Sequence, residues 1–439
     1  MSIASHAASI LKRDVILYAL KLITSVIIAR KLGPEYFGVY LIIAMIPAYA
    51  ELFGRLKLDA AAVYFLGRGL YSIEQVVRTL NIVAILTSAL AVAVIIWKFE
   101  FIHEKLFSNA TIPVSEYVYW SLLQIPLQFL SLNYSYLLIY KEDIRGYNTI
   151  VTLSSVISSV LPILLLVFFN FGIWSIIIPS IISVLASLIY GILRLGEVKD
   201  VGGFINFTLL VDLLKYGLNL YVGAVLGYLQ SYGMGLMVAL YLAPEQVAFF
   251  SLARGLAQML EKVPSALTTI LYSKLSKILN NASLAEVSAK ACRIMFLILS
   301  VLGCISSLAI YPTVYFLYGP SYIDAVPSFL IILTGLVFGS AISSTLYQYF
   351  LSSGRANMTT IIAIGTIASQ IIIAIILMPK FSLIGASIAF ALGQIINAVF
   401  NIIVFVRLTK YPLIKLIIAS KEERNIVKNL IIENIKKSK

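Results

Sequence analysis

Helix-length runs of apolar residues recur along the whole chain, separated by Gly, Pro or clustered charge. A membrane crossing takes about 20 such residues. The pattern predicts twelve spans, over residues 11–30, 37–53, 77–97, 116–139, 149–169, 173–193, 211–240, 246–272, 289–317, 327–350, 358–378 and 382–406. Two starts carry capping-box spacing, Ser72 to Gln75 before the third span and Ser283 to Glu286 before the ninth, where side chains can satisfy free first-turn amides. From Lys12 the apolar run continues without a small-residue cleavage pattern, so no signal peptide is expected. Pro47, Pro126, Pro162, Pro179 and Pro264 suit bent helices but discriminate little, because Pro is common in membrane spans.

Composition turns this pattern into a class. Of 439 residues, 60% are hydrophobic and 12% charged, with a mean hydropathy of +0.97. A soluble domain is excluded, since so apolar a chain cannot cover itself with polar surface. The formal charge of +13 must be read by position. With the N-terminus inside, 25 of the 33 Lys and Arg fall on cytoplasmic segments and five on outer ones, namely Arg30, Lys31, Lys98, Lys105 and Lys380, while Lys21, Arg254 and Lys262 lie within spans. Cytoplasmic loops collect basic residues, so both termini are expected there. Cys292 and Cys304, 12 residues apart on one helix, are about 18 Å from each other, beyond disulfide reach.

An internal repeat organises the spans. Leu32-Gly33-Pro34-Glu35-Tyr36-Phe37-Gly38-Val39-Tyr40 returns as Leu242-Ala243-Pro244-Glu245-Gln246-Val247-Ala248-Phe249-Phe250, at an offset of 210, each joining two consecutive spans on the outer side. Tyr134 to Leu138 is echoed by Tyr347 to Leu351 at an offset of 213. Six spans per unit give both halves one orientation, a parallel-repeat transporter plan with the substrate site between halves. The expected organisation is a lobe over 1–200, a second over 201–409 and a basic tail over 410–439.

The string Ala29 to Tyr40, with Leu242 to Glu245 and Phe250-Ser251-Leu252-Ala253, resembles the Wzx-type polysaccharide flippases of the multidrug/oligosaccharidyl-lipid/polysaccharide (MOP) superfamily. The resemblance covers nearly the whole chain. It implies an all-α polytopic fold with about 12 helices in two V-shaped lobes, and flipping of an isoprenoid-linked sugar carrier by alternating access. In related lipid-carrier flippases, basic residues of the first, second and eighth helices line a cationic cavity; carried over by position, Lys21, Arg55 and Arg254 take that part.

The residues themselves point the same way. A Lys or Arg near mid-bilayer costs on the order of 2.5 to 3.5 kcal/mol on insertion scales, so each one invites a functional reading. Lys21 shares a helical face with Asp14, Tyr18 and Ser25; it either serves a site or, about 10 Å in from Asp14, snorkels or pairs with that carboxylate. Arg254 lies nine residues past Glu245, about 13 Å deep, as a phosphate ligand or as the structural partner of a neighbouring helix. Glu51, Arg55, Lys57 and Asp59 end the second span as a basic mouth or as a solvated helix end. Cations bind a phosphate head group by charge-assisted hydrogen bonds. Sugar contacts are expected from one stripe of the seventh span, Asp212, Tyr216, Asn219, Gly223, Gly227 and Gln230, whose glycines would allow close helix approach and whose alternative reading is simple packing.

Other chemistries lack their motifs. The chain has no phosphate-loop sequence for ATP and only His6 and His103, so no cofactor or metal is expected, and any pump would be secondary, coupled to Na+ or H+. The longest expected outer loop, 98–115, is too short for a catalytic domain, which argues against an enzyme; its Asn109-Ala110-Thr111 fits a glycosylation acceptor. The alternative to a flippase is a cation-coupled small-molecule exporter, which would want acidic groups in its spans, whereas the deep groups here are mostly basic. Expected partners are the lipid-linked glycan, membrane lipids and polysaccharide-assembly enzymes, with no nucleic acid and a functional monomer at the cell membrane. In the tail, Ile426, Val427, Leu430, Ile431 and Ile435 fall at helical spacing, so it is expected to lie on the inner leaflet.

Overall fold

A computed structural model describes residues 3–196, 206–278, 280–417, 420 and 423. Among the described residues every regular element is helical: α1 (Ile3–Gly54), α2 (Leu58–Gly67), α3 (Ile73–Trp97), α4 (Phe99–Leu106), α5 (Ser115–Leu122), α6 (Gln124–Tyr140), α7 (Ile144–Phe168), α8 (Trp174–Arg194), α9 (Phe207–Tyr241), α10 (Pro244–Leu275), α11 (Asn281–Thr313), α12 (Ala325–Ser352), α13 (Ala356–Thr409) and α14 (Leu413–Ile417). Helix is the expected answer in lipid, where each backbone amide must be satisfied within its own segment.

Among these, nine are long and apolar enough to cross a membrane. Two of the nine are double. α1 is interrupted at Gly33 (φ 77°, ψ 171°) and α13 at Ser382 (φ 47°, ψ −125°), so each holds two consecutive spans. Counted this way and with α10 added, twelve long helical segments follow the twelve expected spans in order. α10 is absent from the apolar set because it carries Glu245, Arg254, Glu261, Lys262 and Lys274.

Several local expectations change. Ser72 forms the expected capping box with Gln75 at the start of α3. Ser283 does not; α11 begins at Asn281 under Asn280, whose side chain accepts from the Ala282 amide at 2.9 Å. Asn280, three residues earlier, takes the cap, and Ser283 falls inside the first turn. The expected loop 98–115 contains α4, and the fourth span is split at Leu123, just before Pro126. Pro47, Pro162, Pro179 and Pro264 sit inside continuous helices. Cys292 and Cys304 are both free thiols on α11.

The 210-residue offset reappears in the backbone. Positive φ occurs at Gly172 (57°) and Ser382 (47°), and again at Glu142 (55°) and Gly354 (71°), pairs separated by 210 and 212 residues. The corner at Gly33 has its counterpart in the short break between α9 and α10 at Leu242 and Ala243. Corresponding corners thus share position even where the second copy lacks the glycine that makes such a turn easy.

By contacts the chain forms two compact units, one of residues 1–225 with 243–248 and one of residues 226–242 with 249–439. In the first, α6 packs on α8 and α3, and α7 on α8 and α1. Its core at one end joins Leu58, Ala61 and Leu66 of α2, Val76 and Leu80 of α3, Leu137 and Leu138 of α6, and Leu209 and Leu213 of α9. In the second, α12 packs between α11 and α13 around Cys292, Leu346, Phe350, Ile362 and Phe405. Leu86, Leu90 and Val94 on α3 and Ile364, Ile372 and Ile376 on α13 are exposed, as lipid-facing positions require. In the first unit the three tryptophans, Trp97, Trp120 and Trp174, fall at the end of α3, in α5 and at the start of α8, on one side of the alternating spans. Amphipathic indole rings favour the interfacial layer.

Candidate substrate site

The repeated corner motif is built for packing. Gly38 meets the start of α10 so closely that a β-carbon there would sit 1.7 Å from the Pro244 carbonyl oxygen. Only glycine fits such a crossing. Glu35, three residues upstream, accepts from both the Thr111 amide (3.0 Å) and the Thr111 hydroxyl (2.5 Å). That bond occupies the hydroxyl of the Asn109-Ala110-Thr111 pattern.

In the first unit Lys21 lies on α1, exposed, on the face that also carries exposed Tyr18 and Asp14. Asp14 does not pair with Lys21, because Arg13 holds it at 2.7 Å. Arg13 also donates to Asn148 of α7. Lys21 forms no ion pair among the described residues, so its charge is available to a ligand or to lipid head groups.

Arg55 is placed differently. Its side chain is 9% exposed and pairs at 3.1 Å with Asp59, one helical turn on and 3% exposed. The same nitrogen, Nη2, also donates to the Asn133 side-chain amide oxygen at 3.1 Å. Asn133 donates to Asn81 at 3.2 Å, and Asn81 to the Tyr134 hydroxyl at 3.1 Å. Nearby, Gln128 donates to Glu51 at 2.5 Å. The end of the second span is therefore a buried polar network rather than a solvated helix end. Lys57 sits where the chain turns (φ 57°) between α1 and α2.

The seventh-span stripe divides in two. Asp212 accepts from the Tyr71 hydroxyl at 2.5 Å, and Tyr216 stacks on Tyr64 at 4.3 Å. These two are structural ties to α2 and the turn before α3. Asn219 is exposed and Gln230 partly exposed, so both remain open to a ligand. The close approach expected of Gly223 and Gly227 is absent, since nothing lies within 4 Å of a β-carbon at either. It occurs at Gly217 instead, 2.7 Å from the Leu56 carbonyl oxygen.

In the second unit Arg254 is buried at 9% exposure in α10. Its guanidinium carbon lies 4.5 Å from the Phe390 ring centre, a cation–π contact with α13. Glu261, two turns on, is 3.5 Å away and also accepts from Ser340 of α12 at 3.4 Å. Sequence reasoning found the cation but not this setting. Phe390 is one aromatic among many in an apolar span, and only a fold brings it to Arg254.

Where the loops meet water, charge holds helix ends. Asp143 caps α7 through the Gly146 amide and pairs with Arg194 of α8 at 2.7 Å. The Arg194 guanidinium, helped by that amide, holds the Asp143 carboxyl below the usual carboxylate range. At the C-terminus, Glu423 caps back to Ser420 and pairs with Arg293 of α11 at 2.7 Å. Arg293 also donates to the Lys415 carbonyl. The beginning of the tail is docked on protein; Ile426, Val427, Leu430, Ile431 and Ile435 lie outside the described residues.

Comparison with known proteins fits this architecture. The polysaccharide biosynthesis protein family matches residues 27–327. No curated protein matches the sequence. A structure titled lipid II flippase MurJ, in an inward closed conformation, superposes with a TM-score of 0.74 at 17% identity, covering 92% of this chain and 88% of that one. An inward-facing multidrug resistance MATE family transporter of the MOP superfamily gives 0.68 at 17% identity, with coverages of 90% and 94%. A MOP superfamily transporter from Pyrococcus furiosus, described as having a binding pocket of reverse polarity, gives 0.58 at 16% identity, with coverages of 91% and 93%. The chain belongs to the polysaccharide biosynthesis protein family, and it shares the all-helical, multi-span fold of MOP-superfamily transporters.

Proposed function

We propose that this transporter flips a lipid-linked oligosaccharide, an isoprenoid phosphate or diphosphate bearing sugar, across the cell membrane by alternating access. The observation that carries the reading is Arg254, a buried cation kept at the face of Phe390 in α10, which among the described long helices is too polar to count among the apolar spans, in a member of a polysaccharide biosynthesis family. A guanidinium can hold a phosphate through two parallel bonds, and a partly desolvated site strengthens them. Lys21 supplies a mobile second cation. Arg55, tied to Asp59, adds positive field and orients Asn133. Tyr18, Asn219 and Gln230 offer hydroxyl and amide partners to the sugar.

In this reading both termini are cytoplasmic, lobes over 1–200 and 201–409 rock about the head group, and Na+ or H+ supplies the energy. The protein acts as a monomer, supplied by polysaccharide-assembly enzymes. The second reading, a cation-coupled small-molecule exporter, draws support from the MATE superposition and from two carboxylates at the end of the second span, the half-buried Glu51 and the buried Asp59. Purified protein in liposomes separates the two. Movement of a labelled lipid-linked oligosaccharide to the opposite leaflet is the expected result. Cation-driven efflux of a soluble organic cation without lipid movement would overturn it.

A further inference from the structure

Apart from these cations, the first unit holds a half-open cavity of about 560 Å³ between α6, α7 and α8, with Tyr40 of α1 at its wall. That volume lies within the range of small-molecule sites. Its lining holds eight serines, two glutamines and three tyrosines, and no charged side chain. Such a wall is unsuited to phosphate or to an organic cation, both of which need opposite charge when desolvated.

Hydrogen-bond accounting shows what it does suit. Ser135, Ser158, Ser180, Ser183 and Ser187 donate back to carbonyls of their own helices, which leaves their oxygens as acceptors. Ser131 and Ser155 are 6% and 7% exposed, and their hydroxyls make no hydrogen bond among the described residues. The hydroxyls of Tyr40, Tyr136 and Tyr147 likewise have no partner there. Ser180 shares its one proton between the Ile177 carbonyl at 2.7 Å and, more weakly, the Gln124 carbonyl at 3.4 Å, so the Gln124 amide N–H groups remain to donate, while Gln128 spends a donor on Glu51 and keeps its carbonyl. Donors and acceptors alternate around a neutral wall. Hydroxyls and amides that face the cavity without a protein partner are open to a ligand that can donate and accept at several points at once.

We infer that this cavity is a subsite for the sugar of the substrate, binding a neutral polyhydroxyl group through Tyr40, Tyr136, Tyr147, Gln124, Ser131 and Ser155. The inference rests on the flippase reading and relocates its glycan contacts from α9 to the interior of the first unit. Each sugar hydroxyl both donates and accepts, which matches the mixed lining, and the tyrosine rings offer apolar faces to sugar C–H groups.

The test compares binding of two probes to full-length protein in nanodiscs: the native lipid-linked glycan pool, radiolabelled, and sugar-free isoprenyl diphosphate. Wild type should bind the sugar-bearing pool more tightly. The triple variant Tyr40→Phe, Tyr136→Phe, Tyr147→Phe, which keeps every ring, should lose about tenfold or more in affinity for that pool and nothing for the sugar-free lipid. A second variant, Ser155→Leu with Ser183→Leu, fills the cavity from two helices and should do the same. Equal wild-type binding of both probes, or unchanged binding by both variants, would overturn the subsite alone. Binding of neither probe by inserted wild type would overturn the flippase reading and the subsite with it.

Discussion

Arg55 and Arg254 are equally buried, yet their surroundings differ in kind. Arg55 is locked at 3.1 Å to Asp59 and at 3.1 Å to Asn133, inside a chain of amides and a phenol. Arg254 meets its carboxylate at the longer distance of 3.5 Å and lies against an aromatic face. A short ion pair that also neutralises a buried carboxylate is harder to break than a longer one to a partly exposed carboxylate, so phosphate should displace the Glu261 contact of Arg254 more readily than the Asp59 contact of Arg55. Burial alone does not separate a structural cation from a binding cation; the carboxylate it holds does.

The largest expected effect breaks the first side of this comparison. Arg55→Ala leaves Asp59 buried without its partner, which costs about 3–5 kcal/mol, and should abolish recovery of folded protein by size exclusion in detergent. Replacing both, Arg55→Met with Asp59→Leu, removes the charge pair together and should restore most of the thermal stability. If that double variant also flips lipid at wild-type rates, Arg55 is structural only. Gly38→Val comes next, since its side chain meets the Pro244 backbone, and overpacking of this kind costs roughly 1–3 kcal/mol or more. A melting curve unchanged from wild type would contradict the close crossing.

Smaller effects sit at the ends of the chain. Glu423 is held below the usual carboxylate range chiefly by its bonds to Arg293. A depressed folded value means that the stabilisation is complete above the ordinary Glu value of 4.5 and is lost as pH falls through the lower folded one. Melting temperature measured from pH 7 downward should therefore fall more for wild type than for Glu423→Gln, which starts a few degrees lower. Parallel curves would show that the docked tail contributes nothing. Lys21→Ala should change stability by less than about 0.5 kcal/mol, as exposed positions do, while slowing lipid movement several-fold. A large loss of stability would mean that Lys21 is structural.

How much of this was legible depends on which interaction carries each feature. The twelve spans were readable because lipid imposes length and hydropathy on every crossing. The corners were readable from Gly33-Pro34-Glu35 and its echo, and the last break, expected between 378 and 382, falls at Ser382, a non-glycine residue in a strained turn. Lys21 and Arg254 stood out by depth, and Arg55 by its charged cluster at the end of the second span. Their partners did not, because Asn133, Asn81 and Phe390 are remote in sequence and meet the cations only through packing. Asp212 and Tyr216 shared a stripe with Asn219 but serve the fold, a division decided by Tyr71 and Tyr64. The serine cavity left only a weak trace, since serines in membrane helices usually satisfy themselves on the preceding turn.

The most direct measurement is translocation of a labelled lipid-linked oligosaccharide in proteoliposomes, normalised to inserted protein, for wild type, Arg254→Lys and Arg254→Ala. Charge-assisted hydrogen bonds are worth about 1.5–3 kcal/mol, so Arg254→Ala should slow translocation by about ten- to a hundredfold. Arg254→Lys, which keeps the charge but loses the planar fork, should fall between. Wild-type rates from a fully inserted Arg254→Ala protein would contradict the account.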